Sequence, residues 1–168
     1  MYSFKYAPLM VLILACLGAI PVHAALSNVA DEAVIPQPGL DLQPQDVVRI
    51  VVNALANNDQ PFADAGIATT FGFASPANKV NTGPLDKFTQ MVKNDVYGIM
   101  VDHVESEFSE VVYDDNDAYQ LVQLKGKNGV KIVFAFRLSK QLDGEFKGMW
   151  MTDAVWPVGD AMVPQQGF

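Results

Sequence analysis

VKIVFAFRL, residues 130–138, is the stretch whose reading decides the fold. Val130, Ile132, Phe134, Phe136 and Leu138 fall on one side, and Lys131, Val133, Ala135 and Arg137 on the other. Successive side chains of a strand point to opposite faces, so one face of the sheet that holds this segment must meet a core. Three further strand patterns flank it, giving strands near 103–113, 117–126, 129–139 and 145–156. The segments between them, Asp114-Asp115-Asn116-Asp117, Asn128-Gly129 and Asp143-Gly144, are rich in residues that tolerate positive φ and so read as hairpin turns.

The cover for that apolar face lies upstream. Val47, Val48, Val51, Ala54 and Leu55 recur at helical spacing, Pro44 suits a first helical turn, and Asp46 sits where the macrodipole favours an anion. This predicts a helix over 44–57. A short helix is expected near 65–72, stopped before Pro76. Asn78 to Thr82 reads as loop, and Gly83-Pro84 opens a helix with Leu85, Phe88, Met91 and Val92 on its buried stripe, ending near Asn94. Asp95 to Met100 reads as one more turn leading into the sheet. Helices followed by consecutive strands make an α+β domain, here residues 44–158: N-terminal helices packed on a curved four-stranded antiparallel sheet, with a cavity near the seam.

The flanks carry other signals. Residues 1–24 have one Lys, an apolar run from Ala7 to Ile20 and Val22-His23-Ala24 at the end, the pattern of a secretory signal peptide. The apolar run is short for a membrane span, which needs about 20 residues. An anchor helix left in place is the alternative, as is lipidation at Cys16 in the loose lipobox Ile13-Leu14-Ala15-Cys16. Residues 25–43, with Pro36, Pro38 and Gly39, read as a flexible tether, and 159–168 as a C-terminal tail.

Composition narrows the chemistry. The 168-residue chain is 50% hydrophobic and 18% charged, with a formal charge of −8. Loss of the leader removes Lys5, Cys16 and His23, leaving no cysteine and His103 as the one histidine. A thiol nucleophile, a disulfide framework and a Cys/His zinc set are then excluded. A net negative chain without basic clusters argues against nucleic acid and anionic membrane as partners. No cofactor or metal is expected. Asp114, Asp115 and Asp117 resemble the start of a calcium loop, but its glycine and distal glutamate are missing.

Three stretches together carry a family resemblance: Asp64-Ala65-Gly66-Ile67; Phe73-Ala74-Ser75-Pro76-Ala77-Asn78-Lys79 with Thr82-Gly83-Pro84-Leu85; and Trp150-Met151-Thr152-Asp153-Ala154-Val155. In this order they resemble the family catalogued as domain of unknown function 4864, over roughly residues 44–158. That family belongs with the nuclear-transport-factor-2-like superfamily, whose folds resemble ketosteroid isomerase and scytalone dehydratase. The resemblance implies a cone, in which a curved antiparallel sheet wraps helices, with a pocket at its open end and often a dimer through the outer sheet face. Phe71, Phe73, Phe88, Phe134, Phe136 and Trp150 are expected to line such a pocket. Fold alone does not assign an activity.

Asp153 is the first catalytic candidate, because isomerases of this type use a pocket carboxylate as base with a tyrosine as donor. Its direction depends on the register of the last hairpin. If Phe134 opposes Trp150, the core face is Phe146, Trp150, Thr152 and Ala154, and Asp153 points outward across from Lys131; a turn of other parity places Lys147, Met149, Met151 and Asp153 inside. The first register buries two aromatics and leaves charge outside. His103, opening the first strand, is a candidate acid/base, against the bland reading of a surface histidine. Tyr97, Tyr113 and Tyr119 are candidate donors, Tyr119 foremost. Asp64 is a candidate helix cap or pocket-mouth carboxylate, and Asn78 a turn residue bonded to nearby backbone.

The resulting expectation is an exported, non-catalytic module with a small apolar pocket for a small molecule or a partner. The alternatives are an isomerase- or dehydratase-like enzyme using Asp153 or His103 with a tyrosine, and a protein that dimerises through an outer sheet face bearing Lys131, Val133, Ala135, Met149 and Met151.

Overall fold

The structure, a computed structural model, describes residues 35–159. The expected leader, Cys16, most of the tether and nearly all of the tail lie outside those residues. Four helices come first: α1 (Pro44–Ala56), α2 (Ala65–Gly72), α3 (Pro76–Thr82) and α4 (Leu85–Val92), followed by a 3₁₀ turn at Gly98–Met100. Five strands follow: β1 (Glu105–Phe108), β2 (Val112–Asp114), β3 (Asp117–Lys125), β4 (Lys131–Lys140) and β5 (Trp150–Val158). All strand pairings are antiparallel, in the order β1-β3-β4-β5, with β2 also on β3. The chain is thus α+β with an open sheet, as the order of patterns predicts.

α1 starts where Pro44 occupies the first turn and the Gln43 N–H donates to Asp46 Oδ2 at 2.9 Å. Its apolar stripe, Val47, Val48, Val51, Val52 and Leu55, is almost fully buried. Opposite it lie the inward positions of β3 (Ala118, Val122, Leu124) and of β4 (Phe134, Phe136, Leu138), also buried. The alternation of VKIVFAFRL therefore does meet a helical layer.

Residues 78–82 are helical rather than loop. Ser75 caps α3, its Oγ accepting from the Asn78 N–H at 3.1 Å, and Pro76 is preset for the first helical position. Leu85, expected on the buried stripe of α4, is exposed, while Phe88 and Val92 are buried. The outermost expected strand, 103–113, is broken. β1 ends with Phe108 opposite Val122, and β2 begins with Val112 opposite Tyr119, so three residues face two and Ser109–Val111 form a bulge. There the Leu121 N–H donates to Ser109 Oγ at 3.0 Å.

The last strand starts at Trp150, not 145, and its register differs from both sequence alternatives. Phe134 opposes Pro157, Phe136 opposes Val155, Leu138 opposes Thr152 and Lys140 opposes Trp150. Between Arg137 and Leu138 the register shifts, and Asp153 is the residue left without a partner. A bulge reverses parity in mid-strand, so neither constant-parity reading can describe β5. Lys131, expected across from Asp153, pairs instead with Lys125 of β3.

The free side of β5 is not bare. The Ala74 segment bridges to Thr152 in parallel, with the Thr152 N–H donating to the Phe73 carbonyl and the Ser75 N–H to the Thr152 carbonyl, each at 2.9 Å. Covering a strand edge in this way blocks further pairing.

Candidate functional site: a cavity at the β5 bulge

A cavity of about 240 Å³ lies between α1, the α2–α4 segment and β5. Its body is apolar, with Val51, Leu55, Phe88, Met91, Met100 and Phe136 in the wall. The lining also holds polar residues: Thr70, Asn78, Asn81, Thr82, Tyr97, Thr152 and Asp153. Asp153 is the one charged residue in the lining.

Hydrogen bonds hold most of these polar residues in place. Asn78 Nδ2 donates to the Thr152 carbonyl at 3.0 Å, tying α3 to β5, and Thr82 Oγ1 donates back to the Asn78 carbonyl at 3.0 Å. Thr70 Oγ1 donates to the Gly66 carbonyl at 2.9 Å, Asn81 Nδ2 to the Ala77 carbonyl at 3.0 Å, and the Tyr97 hydroxyl to the Val155 carbonyl at 3.2 Å. Most of these groups are therefore committed to the protein. Two are not. Thr152 Oγ1 is buried with no hydrogen-bond partner, which costs about 1–3 kcal/mol for such a group. Asp153, half-buried, forms no hydrogen bond or ion pair among the described residues. Its charge reaches the outer face of the sheet. There Asp117, bonded to Arg137 at 3.2 Å, raises the guanidinium pKa most, with smaller pushes in the same direction from Tyr119 and Asp153.

The other sequence candidates fall elsewhere. His103 precedes β1, is buried rather than on the surface, and does not line the cavity; its Nδ1–H donates to the Met100 carbonyl at 2.8 Å. Tyr119 pairs with Arg137 on the sheet face away from the helices. Of the six aromatic residues expected in the lining, Phe88 and Phe136 are there. Phe73 and Phe134 are packed solidly into the core, Phe71 stands behind Phe88 with ring centroids 5.2 Å apart, and Trp150 meets the edge of Tyr113. On the outer sheet face Lys131 is exposed and Val133 half-buried, but Ala135 and Met151 are buried, so that face is less open than its pattern suggests.

Asp64 does not cap α2 with its carboxylate. It sits at φ 61°, and its carboxylate accepts from Lys93 Nζ at 2.6 Å and from Asn58 Nδ2 at 2.8 Å, which together hold its pKa below the usual carboxylate range. Asn58 does the capping: its Oδ1 accepts from the Ile67 N–H and its carbonyl from the Gly66 N–H. Lys79 Nζ donates to the Gly72 carbonyl at the C-terminus of α2 and lies over the Phe71 and Phe146 rings, and burial lowers its pKa. Among the described residues there is no group of three His, Cys, Asp or Glu able to hold a metal ion. No described helix is long and apolar enough to cross a membrane.

The sequence matches the family model described as Domain of unknown function (DUF4864) over residues 41–158, more than half of the chain, and the chain belongs to that family. No curated protein and no solved structure matches it.

Proposed function

We propose that this family member is a non-catalytic binding module, exported by its N-terminal leader, whose β5 cavity takes a compact and mostly apolar molecule bearing one hydrogen-bond donor. The cavity carries the reading. Its volume lies just below the usual range for drug-sized ligands, about 300–1,000 Å³, and its mostly apolar lining includes one charged residue, Asp153, with no ion pair among the described residues, next in sequence to Thr152, whose buried hydroxyl has no partner. A donor on the ligand answers the carboxylate, and burial of its apolar body supplies the affinity. The layered α+β order and the placing of a pocket between helices and sheet support a nuclear-transport-factor-2-like cone as the parent architecture. The composition of residues 1–24 supports export.

The isomerase-like alternative needs a donor opposite Asp153. Tyr97, the one tyrosine in the lining, already spends its hydroxyl on the Val155 carbonyl, and His103 is bonded to Met100. That arrangement favours binding over proton transfer. A homodimer through the outer sheet face rests on Trp156, which stands opposite Ala135 and is 37% exposed; a monomer by light scattering at micromolar concentration would remove it.

The binding reading is tested by NMR with methyl-labelled methionine and benzyl alcohol as probe. Met91 and Met100 line the cavity, whereas the fully buried Met151 does not. Saturable shifts at Met91 and Met100 with Met151 unmoved are expected, weakened by Asp153→Asn. Shifts spread evenly over all methionines, or none at all, would remove the proposal.

A further inference from the structure

The Ser109–Val111 bulge opens a second cleft, of about 400 Å³, between α1 and the outermost strands, lined by Gln45, Arg49, Phe108, Ser109, Glu110, Val111, Tyr113 and Gln120. We propose that this cleft binds a small zwitterion of the amino-acid or dipeptide class, its carboxylate on Arg49 and its ammonium between Glu110 and Gln120 Oε1.

Three observations converge on that chemistry. Gln120 is 4% exposed, and its Oε1 has no hydrogen-bond partner. The orientation of this amide is fixed, because its Nε2 donates to the Ser109 carbonyl at 2.8 Å and an oxygen there would face another acceptor. A buried carbonyl oxygen that lacks a donor asks for an N–H from outside. Second, Arg49 is exposed and its guanidinium stands 4.8 Å from the centre of the Phe108 ring, with no carboxylate within 4.0 Å among the described residues. Stacking on the ring fixes the plane of the guanidinium and leaves its N–H edge free for a bidentate carboxylate. Third, Glu110 lines the same cleft without reaching Arg49. Two opposite charges that face one space and do not pair leave room for a molecule carrying both charges in reverse order. The bulge is what makes this possible: it turns the Ser109 carbonyl inward to hold Gln120 and carries Glu110 to the rim.

The test is a titration of the ¹⁵N-labelled protein, followed by NMR, with glycine, glycylglycine, acetate and methylamine. Glycine or glycylglycine should shift the Gln120 side-chain amide, the Arg49 Nε–H and the Ser109 N–H in a saturable way, leaving the Met91 and Met100 methyls in place. The better of the two probes tells a free amino acid from a peptide. Arg49→Gln, at an exposed position, should weaken binding about tenfold or more, the usual scale for losing a charge-assisted carboxylate contact. Glu110→Gln should weaken both zwitterions and leave acetate unaffected. Acetate or methylamine binding as tightly as the zwitterions would overturn the proposal, as would an unchanged affinity in Arg49→Gln, or shifts that never saturate. Unmoved Met91 and Met100 signals in each variant certify its fold.

Discussion

Gly66 packs against the backbone at the end of α1, and Gly66→Ala measures that approach. A Cβ built on Gly66 would lie 2.1 Å from the Ala54 carbonyl oxygen, 2.7 Å from its carbon and 2.9 Å from Asn58 Cα. All three are backbone atoms, so no side chain can swing away and α1 must move relative to α2. Two effects oppose the clash. Alanine exceeds glycine in helix propensity by about 1 kcal/mol, a figure that already includes most of the gain of about 0.4–1 kcal/mol from a stiffer unfolded chain. Overpacking a core costs about 1–3 kcal/mol and occasionally more, and a contact this short against backbone belongs at or above the top of that range. The movement would also strain the bonds from the Gly66 and Ile67 N–H groups to Asn58, at 2.8 and 3.1 Å. The clash therefore wins, with a net loss of about 2 kcal/mol or more, or about 8 °C in Tm for a domain of this size. Gly72→Ala is the internal control. It ends the same helix with nothing within 4 Å of the new Cβ, so it should gain up to about 1 kcal/mol. Urea and thermal denaturation followed by circular dichroism read both. Equal or greater stability in Gly66→Ala would show that the helices are not in backbone contact there, and the account of the Asp64–Ile67 turn would go with it.

Thr152→Val replaces a buried, unpartnered hydroxyl by a methyl group; stability should rise by about 1 kcal/mol while any donor-bearing ligand of the first cavity binds less well, and a fall in Tm would mean that the hydroxyl has a partner in solution. Asn78→Ala removes the tie from α3 to the Thr152 carbonyl and should cost about 1–2 kcal/mol, whereas Ser75→Ala loses only a helix cap, about 1 kcal/mol; urea midpoints that reverse this order would point to the cap as the stronger restraint. Asp64 titrates below its ordinary pKa because Lys93 and Asn58 bond its ionised form. A depressed folded pKa gives stability that is present above the unfolded value and lost as pH falls through the folded one. The urea midpoint of Asp64→Asn should thus lie below the parent's at neutral pH and converge with it in acid, by a modest amount because Lys93 is half exposed; a gap that widens in acid would reverse the assignment.

Much of this molecule is legible in the sequence, and the parts that are not share a cause. Periodicity locates α1 and α4 to within a few residues and the inward face of β4, because Val51, Phe88 and Phe134 are buried by the same regular repeats that reveal them, and Pro76 marks where α2 must already have ended. It missed α3, whose seven residues, PANKVNT, bury no side chain and so show no apolar stripe; the signal was Ser75-Pro76, a cap followed by a proline, rather than any periodicity. The register of β5 was out of reach for another reason. Both sequence alternatives, Phe134 opposite Trp150 or the opposite parity, suppose a hairpin of constant parity, but the chain from Gln141 to Met149 is irregular. Its bonds, such as the Gly148 N–H to the Gln141 carbonyl at 2.7 Å, are set locally and leave no mark on the alternation of the strands. His103 reads as a surface residue because its neighbours Asp102 and Glu105 are charged, but the fold buries it, with its ring bonded to the carbonyl of Met100 three residues before it.

The two bulges explain why the candidate sites were harder to read than the core. A regular strand gives every residue a face by parity, so its side chains are spoken for: inward ones pack, outward ones meet water. At Asp153 and at Ser109–Val111 the count slips by one, and the side chains there escape that assignment. Each slip opens a space, and each space is bordered by a residue with one buried polar atom that has no partner, Thr152 with Oγ1 and Gln120 with Oε1. Strand irregularities of this kind cost ladder hydrogen bonds and are kept where a side chain must be re-aimed. The family stretches meet at the first of them: Ala74 bridges to Thr152, Asn78 bonds its carbonyl, and Thr70, held by the Gly66 carbonyl, completes the wall. Residues that seem unrelated along the chain, a close helix contact at Gly66, a capped turn at Ser75-Pro76 and an aspartate in a final strand, are parts of one frame around the cavity.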